Sequence, residues 1–567
     1  MSATSIPTLD QAVVPESRRL HLWSEWVMRP EVLIRIVLYA TTLIYLRTVL
    51  FDYVYDDTLL ITLNPWMESW KQIPQLLTHS FWGFLEIPRA IDFYRPLVSL
   101  VFAIIRHLLG PAPGWFHLVA AGLHVWATYL VYRLASETLG TKRVAALAAG
   151  IFGLHPTKVE TAAWISGISD SLSAVLFLGS MIWYFKARNN EDRRFKYQLI
   201  STILLLLALF SKEAAIFAPI LVAIYEFSSA DSRFRDCCLG SIRATWPFLA
   251  VSAIALLARR VLIQNDLGQG LRDIAFQPTL LTAPKAILWY VGKQLWPGEL
   301  SVQYPTMLVR TLSVSQFLLP LIVVVGFAVG VLWAVRKNPT GIFFASWFML
   351  MLAPIILYFI TLQEHDRYSY LPSVAFSIGI AYLLNFSRVF GVQVQSAVVL
   401  TLLTLLVGLT IQYESYWDND TKLFIRAVRI APDNVNAEEY LANTYITFGQ
   451  PEKAEAVAKT LISSDHAAEG WYVLGTVLLS ENKSEEAREA LQTALKLWGR
   501  HPLVACLRLA DADLNLGRTQ EAAQIYREQL KRWPNKAFLH GSLATVLKAM
   551  GKSEDAQREL TIQKSLQ

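Results

Sequence analysis

Cysteine is nearly absent: there are three in 567 residues, Cys237, Cys238 and Cys506, with no CxxC spacing. That excludes a disulfide framework and a thiolate zinc site. Charge is scarce too, at 17%, and the formal net charge of +6 is spread over connecting segments rather than gathered in one basic arm. No nucleic-acid partner is expected. The first thirty residues lack the short apolar core and small-residue cleavage site of a signal peptide. What fills the chain is apolar: 54% hydrophobic residues and a mean hydropathy of +0.36, the profile of a polytopic membrane protein.

Two stretches depart from that profile: an acidic and aromatic region from about 51 to 93, and everything after about 414, which is polar and Ala-rich. Apolar runs long enough to span lie near 31–50, 115–136, 144–163, 168–187, 197–227 as a broken pair, 244–263, 315–335, 340–360, 370–388 and 395–413. Arg18, Arg19 and Arg29 before the first run predict a cytoplasmic N-terminal segment, 1–30. The basic connections "GTKR", "KARNNEDRRFK", "DSRFRDCC" and "VRKN" are expected on the same side. Parity then lays the shorter runs 94–109 and 281–296 along the outer surface, leaving about eleven spans. "FDYVYDDTLL", "LHPTKVETAAWISGISD", "FSKEA" and "EHDRYSYLPS" all emerge on the outer side, as does the C-terminal region.

That C-terminal region repeats. "GQPEKAEAVA", "NKSEEAREAL", "GRTQEAAQIY" and "GKSEDAQREL" carry Ala454, Ala487, Ala522 and Ala556 at intervals of 33, 35 and 34. This is the tetratricopeptide period, in which a small residue lets paired helices approach. Such an array offers a concave groove suited to an extended peptide, or serves as an oligomerisation arm. The expected fold is therefore all-α: a helical membrane domain over 31–413, with an outer loop at 51–110, then an α-solenoid within 414–567.

A charge at the membrane core costs roughly 2.5 to 3.5 kcal/mol on insertion scales, so ionisable groups at its edge call for a reason. Asp56 and Asp57 follow the first span, with Trp66, Trp70, Phe81, Trp82 and Phe84 close behind, as in a loop folded onto the membrane surface. Adjacent carboxylates raise each other's pKa, which suits one to accept a proton near neutrality; equally, they can share a divalent cation such as Mg or Mn. Arg95 in "YRPL" can fork onto phosphate oxygens. His155, Lys158, Glu160 and Asp170 cluster between two spans, Lys212 and Glu213 break an apolar stretch, and Glu364, His365, Asp366 and Arg367 share one short loop. Cations able to hold phosphate beside carboxylates able to take a proton fit transfer from a lipid phosphate, whose tail lies in the bilayer. Phosphate leaves readily when positive charge stabilises it, so one carboxylate base suffices for a single, inverting displacement.

The order "DD" at 56–57, "FYRPL" at 93–97, "HPTKVE" at 155–160, "GISD" at 167–170, "SKE" at 211–213, "RYSYLPS" at 367–373 and "YWDNDTKLFIRAVRIAPDNVNA" leading into repeats resembles the transmembrane and tetratricopeptide-repeat O-mannosyltransferases. The likeness covers nearly the whole chain, with departures at Lys158 and at Ile168 and Ser169. It implies the GT-C class of membrane glycosyltransferase and a polyprenyl-phosphate sugar donor. It also implies Asp56 or Asp57 as catalytic carboxylate, and repeats that present a protein or peptide acceptor. Arg95, Lys158, Lys212 and Arg367 are then the expected donor-phosphate contacts. His155, Glu160, Asp170, Glu213 and Glu364 are the supporting polar groups. With no obvious eukaryotic sorting signal, the expected setting is a bacterial inner membrane with periplasmic repeats; the alternative is the endoplasmic reticulum with lumenal repeats. The competing functions are a glycosyltransferase acting on a lipid or cell-surface polymer, and a non-enzymatic repeat scaffold.

Overall fold

The computed structural model describes residues 24–85, 93–230, 234–263, 276–305, 308–358, 364–385 and 387–566. Most of the 1–30 segment, part of the outer loop, and the start of "DSRFRDCC" lie outside the described residues. Helices α1 (Pro30–Leu46), α2 (Pro96–Leu108), α3 (Pro113–Leu139), α4 (Lys142–Leu154), α5 (Ile168–Arg188), α6 (Arg194–Leu209) and α7 (Ala218–Ser229) form the first half of a bundle. Helices α8 (Phe234–Ile263), α9 (Phe276–Leu295), α10 (Leu319–Val335), α11 (Pro339–Tyr358), α12 (Pro372–Leu383) and α13 (Ser387–Glu414) complete it. Among the described residues there is no strand.

Six described helices are long and apolar enough to cross a membrane: Pro30–Leu50, Pro113–Leu139, Ile165–Arg188, Cys237–Ile263, Val314–Val335 and Val389–Glu414. Several other expected spans are shorter because polar motifs interrupt them. Helix α4 stops before His155–Pro156, since a residue ahead of proline is steered away from helix, and α6 stops before Ser211–Lys212. The broken pair expected over 197–227 is α6 and α7, separated by a 3₁₀ turn, Glu213–Phe217. Proline opens α1, α2, α3 and α12 at the position where its missing N–H costs nothing.

Helix α4 is the axis of the first half. Every residue from Val144 to Leu154 is buried, and α1, α3, α12 and α13 all pack against it. Its small side chains permit that crowding: a Cβ on Gly153 would meet Thr128 Cγ2 at 2.6 Å. Outward-facing helices look different. Only 6% of the Val314–Val335 window is buried, as befits a surface turned to lipid.

The segment after α1 is neither a free linker nor a plain turn. Leu60, Ile61, Met67, Leu76, Phe81 and Trp82 form a second core with Val98 and Phe102 of α2 and Phe116 of α3. The Arg106 guanidinium donates to Ile61 O, and His107 stacks on Trp70 at 4.6 Å. The polar groups that set α2 apart in the sequence thus bind the loop.

A bridging helix, α14 (Asp420–Ile430), capped by Asn419 Oδ1 accepting from Lys422 N at 3.0 Å, leads to the repeats. These are four helix pairs: α15 (Val435–Thr447) with α16 (Pro451–Ile462), α17 (Ala467–Ser480) with α18 (Ser484–Trp498), α19 (Leu503–Asn515) with α20 (Thr519–Arg532), and α21 (Ala537–Ala549) with α22 (Ser553–Leu566). The four marking alanines are all buried. The first residue of each marking motif sits in the turn within a pair at positive φ: Gly449 at 67°, Asn482 at 62°, Gly517 at 74° and Gly551 at 75°. Three are glycine because a Cβ there costs about 1–2 kcal/mol; asparagine tolerates the conformation better than other residues. Gly517→Ala is expected to destabilise the array by about 1 kcal/mol and Asn482→Gly to stabilise it by a few tenths, read as opposite shifts in thermal unfolding of the full chain.

Candidate functional site

The acidic pair is split by its surroundings. Asp57 is fully buried. Its Oδ1 accepts from Ser166 N at 2.9 Å and Ser166 Oγ at 2.6 Å, and its Oδ2 accepts from Val54 N at 3.3 Å. It therefore pins the start of the outer loop to the 3₁₀ turn Ile165–Gly167 that precedes α5. Burial pushes its carboxyl up to about 8, the three donors pull the other way, and repulsion from Asp56 is the weakest contribution. Adjacent charges predict a raised pKa; its larger source is desolvation. Asp56 is half-buried and is the accessible member of the pair.

Tyr55, just before them, has a φ of 58°. A left-handed backbone at an aromatic residue costs about 1–3 kcal/mol and is kept only where neighbours over-determine it. Here its N–H donates to Asp420 Oδ1 at 2.7 Å, and its ring lies against Trp164 at 5.5 Å, Phe424 at 5.9 Å and Tyr440 at 5.0 Å.

Three of the four expected phosphate contacts come together. The Lys212 ammonium lies 5.3 Å and the Arg367 guanidinium 4.9 Å from the Tyr368 ring. Arg95 joins them through Glu213, the neighbour of Lys212, at 3.1 Å. Arg367 also lies over Trp164 at 5.0 Å, the ring Tyr55 touches, so the cations and the acidic loop share one wall. Each cation has its own carboxylate: Arg95 with Glu213, Lys212 with Asp170, and Arg367 with Glu160. A guanidinium has five N–H donors, so one carboxylate leaves arginine with donors to spare. Arg95 Nε is buried with no partner among the described residues.

Glu160 carries more than its ion pair. Fully buried, it accepts from the Arg367 backbone N–H at 3.0 Å as well as from its guanidinium, locking the short helix Val159–Ala163 to the 3₁₀ turn Asp366–Ser369. Lys158, the fourth expected contact, has other partners. It is wholly buried, donates to Thr157 Oγ1 at 2.8 Å and packs 5.6 Å from the Phe152 ring. His155 is a structural hub. Its Nε2 donates to Gln294 O at 3.0 Å, so its Nδ1 is the acceptor for Thr157 Oγ1 at 2.9 Å. Gln294 Nε2 donates to Thr157 Oγ1 at 3.1 Å and to Ser369 Oγ at 3.0 Å. Glu364 is buried, its carboxyl pushed up to about 7 by desolvation, with Oε1 unpartnered among the described residues.

Sequence reading did not assign Ser166, Tyr55, Asp420 or the role of Asp366. Asp366 accepts from Tyr304 OH at 2.8 Å and Tyr413 OH at 3.1 Å, joining three separated segments. Asp420 lies in the quoted "YWDNDTK" stretch, but its partner is 365 residues away along the chain. As for a shared divalent ion, Asp57 already faces three N–H or O–H donors, a donor set that opposes a cation on that carboxylate. Among the described residues no group of three or more His, Cys, Asp or Glu side chains is arranged to hold a metal.

Two expectations follow for Asp57. Between the unfolded carboxyl value near 3.8 and the folded value of about 8, the folded state keeps a proton that the unfolded state has lost. This group's contribution to stability therefore falls as pH rises through that window and levels off above it. Melting temperatures across pH 5–9 should slope downward from this term, and Asp57→Asn should flatten that part of the slope. The same variant turns an NH₂ toward a neighbouring N–H and should lower stability by about 1–3 kcal/mol.

The tetratricopeptide-repeat family profile matches residues 439–502 and 472–537, within the four helix pairs. Protein O-mannosyl-transferase Tmtc1 of Drosophila melanogaster is 34% identical over 203 residues, covering 35% of this chain and 23% of its own length. A protein O-mannosyl-transferase of Caenorhabditis elegans is 23% identical over 424 residues, 71% of this chain and 58% of its own. Human protein O-mannosyl-transferase TMTC4 is 30% identical over 195 residues, 31% and 26% of the two chains. The chain thus spans less than two thirds of the length of these curated relatives. The crystal structure of MamA aligns over 26% of this chain and 85% of its own at 21% identity and a TM-score of 0.23. The chain is a relative of the transmembrane and tetratricopeptide-repeat protein O-mannosyltransferases.

Proposed function

We propose that the chain is a membrane protein O-glycosyltransferase, moving a hexose from a polyprenyl-phosphate to a Ser or Thr hydroxyl of an exported protein. The relatives are named protein O-mannosyl-transferases, which points to mannose. The observation that carries the reading is the shared wall: Lys212 and Arg367 gather at Tyr368, Arg95 joins them through Glu213, and Arg367 and the acidic loop meet the same Trp164.

On this reading the donor's phosphate lies against the three cations and its tail runs into the bilayer. The acceptor oxygen bonds to the sugar C1 as the C1–O bond to phosphate breaks. The electron pair of that bond stays on the phosphate, where the cations stabilise the growing charge, and the configuration at C1 inverts. The hydroxyl proton passes to Asp56, because that carboxylate is reachable while Asp57 spends both oxygens on holding the loop. A fixed base of this kind contributes about 10²–10⁴ in rate. Glu160, Asp170 and Glu213 do a different task. They keep three like charges together in a desolvated place where, unpaired, each would be strongly disfavoured.

Lys158 is assigned to structure within this scheme, because its ammonium is enclosed. The repeats lie on the same side as the acidic loop, joined to it through α14, which suits them to bring a polypeptide to the base. That side is the periplasm in a bacterial inner membrane, or the lumen in the endoplasmic reticulum.

The purified chain, given a polyprenyl-phosphate mannose and a Ser/Thr-containing acceptor protein, is expected to add hexose mass to the acceptor. Asp56→Asn is expected to lower kcat at least a hundredfold while the melting temperature stays within a degree or two of wild type. Glycoproteomics of a deletion strain supplies the cellular arm. Loss of hexose from exported Ser or Thr supports the proposal, and loss of a lipid or capsule glycan with an unchanged glycoproteome replaces it with the polymer-modifying alternative.

A further inference from the structure

The contacts of Tyr55 go beyond what the reaction uses. We infer that Tyr55 is a positioning residue through which the repeat array sets the geometry of the acidic pair; the inference rests on the transfer reading above.

Three observations carry it. Tyr55 holds its left-handed φ of 58° immediately before Asp56. A side chain with a Cβ leaves that region unless something holds it. Beside Trp164, its backbone N–H is held from the C-terminal part of the chain: Asp420 Oδ1, at the start of α14, accepts the Tyr55 N–H at 2.7 Å. The ring is gripped from the same direction, by Phe424 of α14 at 5.9 Å and by Tyr440 of α15, the first repeat helix, at 5.0 Å. Those two rings stack on each other at 5.0 Å and 11°. A second backbone tie, Asp52 N to Asp418 O at 3.1 Å, runs beside them.

The consequence is mechanical. Asp57 is anchored separately, to Val54 and Ser166. If Asp420 or the stacked rings shift, Tyr55 relaxes toward an ordinary backbone conformation and the peptide plane it shares with Asp56 turns, while Asp57 stays. The change is therefore concentrated on the member of the pair assigned as base. An acceptor seated on the first repeat is two side chains away from it. Independent ties hold α14 and α15 to the segment that follows α9: Arg426 Nε donates to Leu300 O at 3.1 Å and Asn434 Nδ2 to Tyr304 O at 2.8 Å. An Asp420 variant can thus release Tyr55 without releasing the array.

The test uses the full chain in nanodiscs, with two variants and two measurements. Asp420→Ala removes the acceptor for the Tyr55 N–H; Asp420→Asn keeps Oδ1. With Asp420→Ala, kcat is expected to fall at least tenfold while KM for polyprenyl-phosphate mannose stays within twofold. Hydrogen exchange over residues 53–57 is expected to quicken at least tenfold, with the repeat helices unchanged. Asp420→Asn is expected to return both to within threefold of wild type. Unchanged exchange over 53–57 in Asp420→Ala overturns the inference, as does a fall in kcat that Asp420→Asn fails to restore, or deprotection that spreads through the repeats. If the wild-type chain transfers no sugar, the transfer reading fails by itself. The exchange measurement then decides alone whether the array holds Tyr55.

Discussion

The pairing of Glu160 with Arg367 is the interaction on which the polar end of the bundle depends. A fully buried carboxylate receives both the guanidinium and the backbone N–H of one residue, tying together segments 207 positions apart. Removing either partner would strand a desolvated charge, which costs far more than the pair contributes. Because Glu160 fixes the backbone at residue 367, it also fixes where Tyr368 stands, and Tyr368 is the surface around which Lys212 and Arg367 gather. The other ion pairs extend the same device. Each brings one cation from a different helix end to a common place, and each supplies the carboxylate that makes its burial tolerable.

The acidic loop is held by a different principle, namely hydrogen bonds that meet an ionisable group from several sides. Asp57 accepts from residues 54 and 166 and so welds the loop to the start of α5. Asp56, one residue earlier, keeps partial exposure. Two chemically identical neighbours thereby divide into an enclosed anchor and a more exposed carboxylate, through burial and the three donors that meet Asp57. The strained Tyr55 shows what that arrangement demands of the backbone. The strain persists because an aromatic cluster and a carboxylate from the start of the C-terminal part hold it in place.

The repeat array follows from local rules. Its turns require a left-handed residue, its helix pairs require a small one, and both recur with the period of the fold. It is also joined to the membrane part at several points. Asn434 both caps the first repeat helix and donates to Tyr304 O in the segment after α9, so one side chain serves helix initiation and docking together.

Sequence by itself determined the class of the molecule. Apolar runs, basic connections and a 33 to 35 residue period are local patterns, and each is read without knowing what lies across space. It also marked most of the polar cluster, because ionisable groups at the edge of apolar runs stand out against their background: Arg95, Lys212, Glu213, Asp170, Glu160 and Arg367 were legible in this way. What it left open was which of these are partners, which of Asp56 and Asp57 is enclosed, and that His155 and Lys158 brace the scaffold. Those distinctions rest on burial and on contacts between residues far apart along the chain, as in Lys212 with Asp170, 42 positions apart, or Tyr55 with Asp420, 365 apart. Only the tertiary structure decided them, because desolvation and hydrogen bonding depend on which atoms surround a group, and a sequence fixes neighbours along the chain but not across it.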